Sequence, residues 1–198
     1  MCSGANRGEA IEARLASRNL HKLQELREAL SDWDLDLLAE DDYPLEEGAT
    51  YYDNARAKAR FGRGHVESDV WLLGEDSGLE VEALGGGPGV TSSRFAPAGD
   101  FVERLLAELE GVGGEGRRAR YVCELVCLSP DGEEFRGTGT LAGSIAHEPR
   151  GSEGFGYDPV FVPDGETRTV AELGNRWKAR NSHRARASSA LLDAIAAP

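Results

Sequence analysis

The feature that most constrains the fold is a strongly apolar run that leads directly into a turn and a second extended segment. Tyr121–Leu128 is typical of a buried strand, Pro130-Asp131-Gly132 of a hairpin turn, and Glu134–Leu141 of the returning strand. Cys123 and Cys127 lie four residues apart in this run, without the spacing of a metal site. We interpret them as small core residues of a protein from a reducing cytosol. The chain is therefore expected to contain a sheet with an antiparallel pair.

Helices and strands are mixed along the rest of the sequence without strict alternation, and neither a GxGxxG fingerprint nor a Walker A loop is present. This order favours an α/β fold around a mixed sheet rather than a Rossmann domain. The last helix is expected to use Ser182 as its cap and to bury Leu191, Leu192 and Ile195. The other expected strands are Ile11–Ala16, Leu35–Leu38, Val70–Leu73, Leu79–Val81, Ser144–His147 and Val160–Val162, and the other expected helices are His21–Ser31, Tyr51–Phe61 and Val102–Leu109.

Length, composition and charge limit the class of protein. A chain of 198 residues with 40% hydrophobic content is sufficient for one domain with its own core. We expect residues 1–10 to be a flexible N-terminal extension and residues 11–198 to form a single domain. The formal net charge of −13 argues against binding a nucleic acid polymer, although a few lysines and a divalent cation can neutralise a nucleotide locally. No apolar run reaches membrane-spanning length, so no membrane partner is expected.

The first candidate binding motif is an aromatic residue between two glycines. Gly154-Phe155-Gly156-Tyr157-Asp158-Pro159 leaves the Phe155 ring uncrowded, so the ring can stack on a base. Lys178 and the motif Ser182-His183-Arg184 come later in the sequence, and the His183 and Arg184 side chains can hydrogen-bond the edge of that base. The alternative is a Gly-rich turn whose aromatic residues face the core, followed by a structural histidine and a solvated arginine.

A second candidate motif suits phosphate. Ser17-Arg18-Asn19-Leu20-His21-Lys22 is a strand-to-helix turn, and a helix N-terminus presents free N–H groups and the positive end of a dipole. Ser17 and Asn19 can donate hydrogen bonds, and Lys22 can add positive charge. The alternative is an ordinary helix cap with a solvated lysine.

Acidic residues in two further motifs are candidates for metal binding and catalysis. Glu46 precedes a helix on which Asn54 and Lys58 share a face. Glu75-Asp76-Ser77-Gly78 follows an apolar strand and is interpreted as an acidic turn. Mg²⁺ prefers carboxylate oxygens together with substrate phosphates, and Asp76 can take a proton from a water that attacks phosphorus. The alternatives are a capped surface helix and a polar turn without function.

Taken in order, these motifs resemble the inosine triphosphate pyrophosphatase family, which hydrolyses non-canonical purine nucleoside triphosphates. The resemblance implies an α/β fold with an elongated central mixed sheet, two lobes around a cleft, and a cytoplasmic homodimer. It also implies Mg²⁺-dependent attack of water on the α-phosphorus, which releases pyrophosphate and a nucleoside monophosphate. The matching blocks are Leu15–Lys22, Glu46–Arg60, Glu75–Phe95, Glu148–Pro163 and Lys178–Arg186.

The resemblance assigns roles to individual residues. Phosphate contacts are implied for Ser17, Asn19, Lys22, Lys58 and Ser77. Metal binding is implied for Glu46, Glu75 and Asp76, with Asp76 also as the general base. Purine binding is implied for Phe155, Asp158, Ser182, His183 and Arg184, and Lys178 is implied to lie near the base or the phosphates. A site that donates hydrogen bonds to a 6-oxo oxygen leaves its donors unpaired against adenine, which is worth roughly 10⁴ in discrimination in the best cases.

Some residues depart from the family pattern. Arg18 occupies a position where glycine is frequent, Glu75 replaces a more usual aspartate, and the segment Ala96–Val102 is short. Arg176-Trp177 replaces residues that are often acidic. Two other functions remain open from the sequence: a related pyrophosphatase acting on pyrimidine or modified nucleotides, and a nucleotide-binding sensor without catalysis.

Overall fold

A computed structural model describes residues 10–40, 42–44, 46–97 and 100–197. Apart from Ala10, the expected N-terminal extension lies outside these residues, and the short segment Ala96–Val102 is described only in part. The strands are β1 Ile11–Leu15, β2 Trp33–Leu37, β3 Trp71–Val81, β4 Arg118–Leu128, β5 Glu134–Ile145 and β6 Phe161–Pro163. The helices are α1 Leu20–Ala29, α2 Tyr51–Arg63, α3 Phe101–Glu108, α4 Val170–Leu173, α5 Asn175–Asn181 and α6 His183–Ala196.

The strands form one mixed sheet in the order β2-β1-β3-β4-β5-β6. The β1 strand pairs in parallel with both β2 and β3, whereas β3, β4, β5 and β6 pair antiparallel in succession. The β4–β5 hairpin joins Leu128 to Glu134 across the expected turn. The mixed sheet and its central hairpin are therefore confirmed.

The prediction of an acidic turn between two short strands is wrong. Gly74 pairs with Val126 and Gly78 with Val122, so the acidic motif continues β3 without interruption. Glycine and acidic residues are poor strand formers, which suggested a break. The long partner β4 overrides this local preference because it hydrogen-bonds along the whole of β3. For the same reason the separate strand expected at Ser144–His147 is wrong: β5 runs on to Ile145.

Helices cover both faces of the sheet. On one face α1 and α6 pack on the strands, and on the other face Ala55 and Ala59 of α2 pack on Leu72 and Val126. A separate core cluster, which includes Leu105 of α3, covers the far end of β3, β4 and β5. None of the described helices has the length and apolar character that crossing a bilayer requires.

The expected apolar faces of the helices are mostly correct. Leu23, Leu26 and Leu30 are all buried, as the spacing predicts. In α6, Leu191 is buried and Ile195 packs against the core, but Leu192 is 38% exposed. Successive helical residues point about 100° apart, so Leu192 turns away from the sheet when Leu191 faces it.

Candidate functional site

Two adjoining cavities share lining residues at the start of α1. We call the first, of about 770 Å³, the cationic cavity. We call the second, of about 400 Å³, the aromatic cavity. Asn19 and Lys22 line both cavities and so mark their junction. The cationic cavity is further lined by Ser17, Arg18, Tyr43, Glu46, Lys58 and Arg94, and the aromatic cavity by Ser77, Tyr121, Phe155, Asp158, Lys178, His183 and Arg184.

Strand β3 separates the two acids of the central motif. Neighbouring residues of a strand point to opposite faces, so Asp76 faces α2 and Glu75 faces α1 and α6. Asn54 donates from Nδ2 to Asp76 Oδ2 at 3.0 Å. Lys58 Nζ donates to Asp76 Oδ1 at 3.2 Å and to the backbone oxygen of Glu75 at 3.0 Å. The shared helical face expected for Asn54 and Lys58 is therefore confirmed.

Local sequence explains why α2 presents this face. Thr50 caps the helix and forms a reciprocal capping box with Asp53, which fixes the first turn. Gly48 donates its backbone N–H to Asn54 Oδ1 at 2.8 Å, so the amide of Asn54 is held from both ends. A Cβ at Gly74 would overlap the backbone of Ala55, so only glycine allows α2 to approach β3 this closely.

Glu46 approaches Asp76 through a shared cation. Its carboxylate forms ion pairs with Lys58 Nζ and, at 2.6 Å, with Arg94 Nη1. Lys58 therefore lies between Glu46 and Asp76, and both carboxylates lie close to one cation position. Two carboxylates beside a site for substrate phosphates are a donor set that suits Mg²⁺. Among the described residues, no group of three or more His, Cys, Asp or Glu side chains is placed so that it could hold a metal ion.

The pKa values of Asp76, Glu46 and Lys58 shift in different directions. Burial raises the pKa of Asp76 above its ordinary value, and the nearby Lys58 offsets only part of this effect. Burial would also raise the pKa of Glu46, but Lys58 outweighs it and the pKa is lowered. Desolvation of Lys58 is outweighed by Asp76 and Glu46, so its pKa is raised and it stays charged. Asp76 is therefore the better proton acceptor of the two acids.

Glu75 is fully buried and is neutralised by two cations. Lys22 Nζ lies 2.6 Å from its Oε2, and Arg184 Nη2 lies 2.9 Å from its Oε1. Burial would raise its pKa, but Lys22 and Arg184 outweigh burial and hold the pKa well below the usual range. The metal role predicted for Glu75 stays a prediction; in this structure its carboxylate anchors the two cations.

The phosphate turn is built around a helix cap. Asn19 Oδ1 accepts from the backbone N–H groups of His21 and Lys22 at 2.9 and 3.2 Å. Ser17 Oγ accepts from the backbone N–H of Asn19 at 3.1 Å. The acceptor oxygens of both side chains are thus used inside the turn, and what remains for a ligand is the amide N–H₂ of Asn19 and the hydroxyl proton of Ser17.

The Gly-rich motif folds into a turn around Asp158. Gly154 has φ +81°, and a Cβ there would overlap Asp158 Oδ2. That oxygen accepts from Phe155 N at 2.8 Å and from Lys178 Nζ at 2.6 Å, while Oδ1 accepts from Tyr121 at 3.2 Å. Asp158 therefore fixes the Phe155 backbone and one wall of the aromatic cavity.

His183 and Ser182 occupy the start of α6. The His183 ring is buried and stacks on Tyr121 with centroids 4.6 Å apart. Burial and then Arg184 lower its pKa well below the ordinary value, so the imidazole is neutral. Its Nδ1 is buried and has no hydrogen-bond partner among the described residues. Ser182 caps α6 by accepting from Ala185 N at 3.2 Å, as expected from the sequence.

Glu25 and His21 contribute to the site, although the sequence patterns did not indicate a role for either residue. Glu25 Oε1 lies 2.6 Å from Lys178 Nζ and its Oε2 lies 2.5 Å from Arg184 Nη1, so one carboxylate holds two cations of the aromatic cavity. The His21 ring stacks on Phe155 with centroids 5.1 Å apart. The available signal for Glu25 was its position three residues after Lys22, on the same helical face.

The chain is similar in sequence and structure to known proteins. The Ham1 family model matches residues 13–194. A dITP/XTP pyrophosphatase of Bdellovibrio bacteriovorus is 42% identical over 93% of this chain and 98% of the relative. One from Deinococcus deserti is 45% identical over 89% of this chain and 86% of the relative. A solved HAM1 protein of Coxiella burnetii has a TM-score of 0.80 at 34% identity and covers 93% of this chain and 98% of its own.

Proposed function

Because the chain belongs to the Ham1 family, we propose that it hydrolyses inosine- and xanthine-type nucleoside triphosphates, among them dITP and XTP, to the monophosphate and pyrophosphate. The observation that carries this proposal is Asp76. Its pKa is raised, and its carboxylate accepts a hydrogen bond from Lys58, which lines the cationic cavity. Such a carboxylate is suited to accept a proton from an attacking water.

The tail of the substrate lies in the cationic cavity. Lys22 and Lys58 neutralise phosphate oxygens, and Ser17 and Asn19 donate hydrogen bonds from the turn that precedes α1. Asp76 orients the water toward the α-phosphorus and takes its proton. Glu46 and Asp76 would hold Mg²⁺, which, when bound, supplies positive charge to the phosphate oxygens.

The base lies in the aromatic cavity against Phe155. Lys178 has three protons, and its contacts with Glu25 and Asp158 use two of them, so one remains for the 6-oxo oxygen of hypoxanthine or xanthine. Adenine carries an amino group at that position and would face this donor with another donor. A buried donor left unpaired is costly, so ATP is refused.

The test is pyrophosphate release from ITP, XTP, ATP, dTTP and UTP in the presence of Mg²⁺. ITP and XTP are expected to turn over, with kcat/KM for ATP lower by roughly 10³ or more. Preference for dTTP or UTP would instead establish the pyrimidine-directed alternative. Tight binding of ITP without product would establish a nucleotide sensor.

A second test separates catalysis from binding. Asp76→Asn removes the proton acceptor and keeps the shape, so kcat for ITP should fall by about 10²–10⁴ while the Kd for ITP changes only a few-fold. Asp193→Asn, at an exposed position of α6, is the matched control and should behave as wild type. Turnover of Asp76→Asn at the wild-type rate contradicts the assignment of the base.

Three expectations belong to the proposal and have their own tests. Dependence on Mg²⁺ is tested by loss of turnover in EDTA and its recovery on adding Mg²⁺ back. A homodimer is tested by the mass of the protein in solution by light scattering. A cytoplasmic location is tested by fractionation of the cells that produce it.

A further inference from the structure

We propose that Arg18 binds the terminal phosphate of the substrate and thereby makes the enzyme prefer nucleoside triphosphates to diphosphates. This inference rests on the function proposed above and adds a residue that determines specificity for the length of the tail. Among the described residues four cations line the cationic cavity, and Arg18 differs from the other three.

Among the described residues that line this cavity, Arg18 is the cation that forms no ion pair with another described residue. Lys22, Lys58 and Arg94 each form an ion pair with a buried or half-buried carboxylate. Within the described ranges, Arg18 has no carboxylate at ion-pair distance. Its side chain is exposed, and its guanidinium lies over the Tyr43 ring, 5.4 Å from the centroid. A guanidinium without an ion-pair partner in these ranges, at the wall of a phosphate cavity, is suited to bind an anion from solution.

The ring under Arg18 is itself held in place. Tyr43 donates its hydroxyl proton to the backbone oxygen of Leu38 at 2.9 Å, and its ring contacts Phe61 at a centroid distance of 5.3 Å. Contact with the ring face orients the planar guanidinium but uses none of its five N–H donors. Arg18 is therefore positioned in advance and keeps its hydrogen-bonding capacity for a ligand.

The lining of the two cavities places Arg18 on the phosphate side of their junction. Asn19 and Lys22 line both cavities, so a base in the aromatic cavity places the α-phosphate near them and near Asp76. Arg18 and Tyr43 line the cationic cavity and do not line the aromatic cavity. The β- and γ-phosphates extend away from the junction, and the γ-phosphate of a triphosphate reaches farthest. A terminal phosphate presents several oxygens, which match the fork of an arginine.

The experiment measures ITP against IDP. Arg18→Gln should lower kcat/KM for ITP by about tenfold or more, as expected for a charge-assisted contact, and that for IDP by less than twofold. Arg18→Lys keeps the charge without the fork and should give an intermediate loss. The control is Arg56→Gln, because Arg56 also lies over a tyrosine ring but lines neither cavity.

Binding to an inactive protein gives an independent readout. In an Asp76→Asn background, Arg18→Gln should weaken ITP about tenfold and leave IDP nearly unchanged, by calorimetric titration in EDTA. Equal losses for ITP and IDP, or no loss for either, would overturn the role of Arg18 whether or not stability changes. Failure of the wild-type protein to hydrolyse ITP would instead count against the proposed function, so the two failures are distinguishable.

Discussion

The cations that line the two cavities differ in their exposure to solvent. In the aromatic cavity, Lys178 and Arg184 are almost wholly buried and are held by carboxylates that are themselves mostly buried. In the cationic cavity, Arg18 is exposed and Arg94 is about half exposed, at 47%. Choosing between bases requires donors that cannot turn away or be replaced by water. Attracting a phosphate tail requires only charge, so the exposed Arg18 and the half-exposed Arg94 can contribute there beside the buried Lys58.

The largest expected effect tests whether the more buried ion pairs of the aromatic cavity contribute more to the free energy of unfolding than an exposed pair of the cationic cavity. Glu75→Gln leaves Arg184 buried with one of its two carboxylates missing, and should lower the free energy of unfolding by about 3 kcal/mol or more. Arg94→Gln removes a partly exposed pair with Glu46, which stays paired with Lys58, and should cost about 1 kcal/mol or less. Urea denaturation of both variants measures the difference. Equal costs would contradict the distinction between the cavities.

Two glycines provide the next comparison. A Cβ at Gly139 would overlap the backbone of His183 at the start of α6, and a Cβ at Gly74 would overlap α2 at Ala55. Each change to alanine should cost about 1–3 kcal/mol of stability, since a helix must shift. Gly139→Ala should also reduce discrimination between ITP and ATP, whereas Gly74→Ala should lower kcat by moving Lys58 from Asp76. Steady-state kinetics on both nucleotides checks this, and identical kinetic defects would count against it.

The buried imidazole predicts how stability depends on pH. The pKa of His183 is lowered on folding, so below about pH 6.5 the unfolded chain binds a proton that the folded protein does not bind. The contribution of His183 is therefore complete above the unfolded pKa and falls as pH decreases, by up to about 1.4 kcal/mol per pH unit. Unfolding free energies at pH 7.5 and 5.5 should show a smaller decrease for His183→Gln than for wild type. An unchanged decrease would show that other groups govern this range.

The smallest effect concerns Ser182, for which the sequence suggests a base contact and the structure shows a helix cap. Ser182→Ala should cost about 1 kcal/mol of stability through loss of the cap. If capping is its whole role, the ratio of kcat/KM for ITP and ATP should stay at the wild-type value. A changed ratio at unchanged stability would place the hydroxyl at the base instead.

Much of the fold was accessible from the sequence because its signals are local. The hairpin follows from an apolar run and a Pro-Asp-Gly turn, and the burial of α1 follows from the spacing of its leucines. The break expected at Gly74–Gly78 was wrong because the pairing with β4 is a long-range contact that local propensity does not report. The candidate site residues could be named in order, but Glu25 could not, since its two partners lie about 150 residues away in the sequence.

The sequence by itself determined which side chains this protein has for its chemistry: adjoining acids, lysines after a helix start, and an aromatic residue between glycines. Only the tertiary structure decided which of them act together. Strand alternation sends Glu75 and Asp76 to opposite faces of β3, so one becomes an anchor for buried cations and the other contacts Lys58 of the cationic cavity. Their pKa values then shift in opposite directions, because the cations surrounding Glu75 outweigh desolvation and those near Asp76 do not.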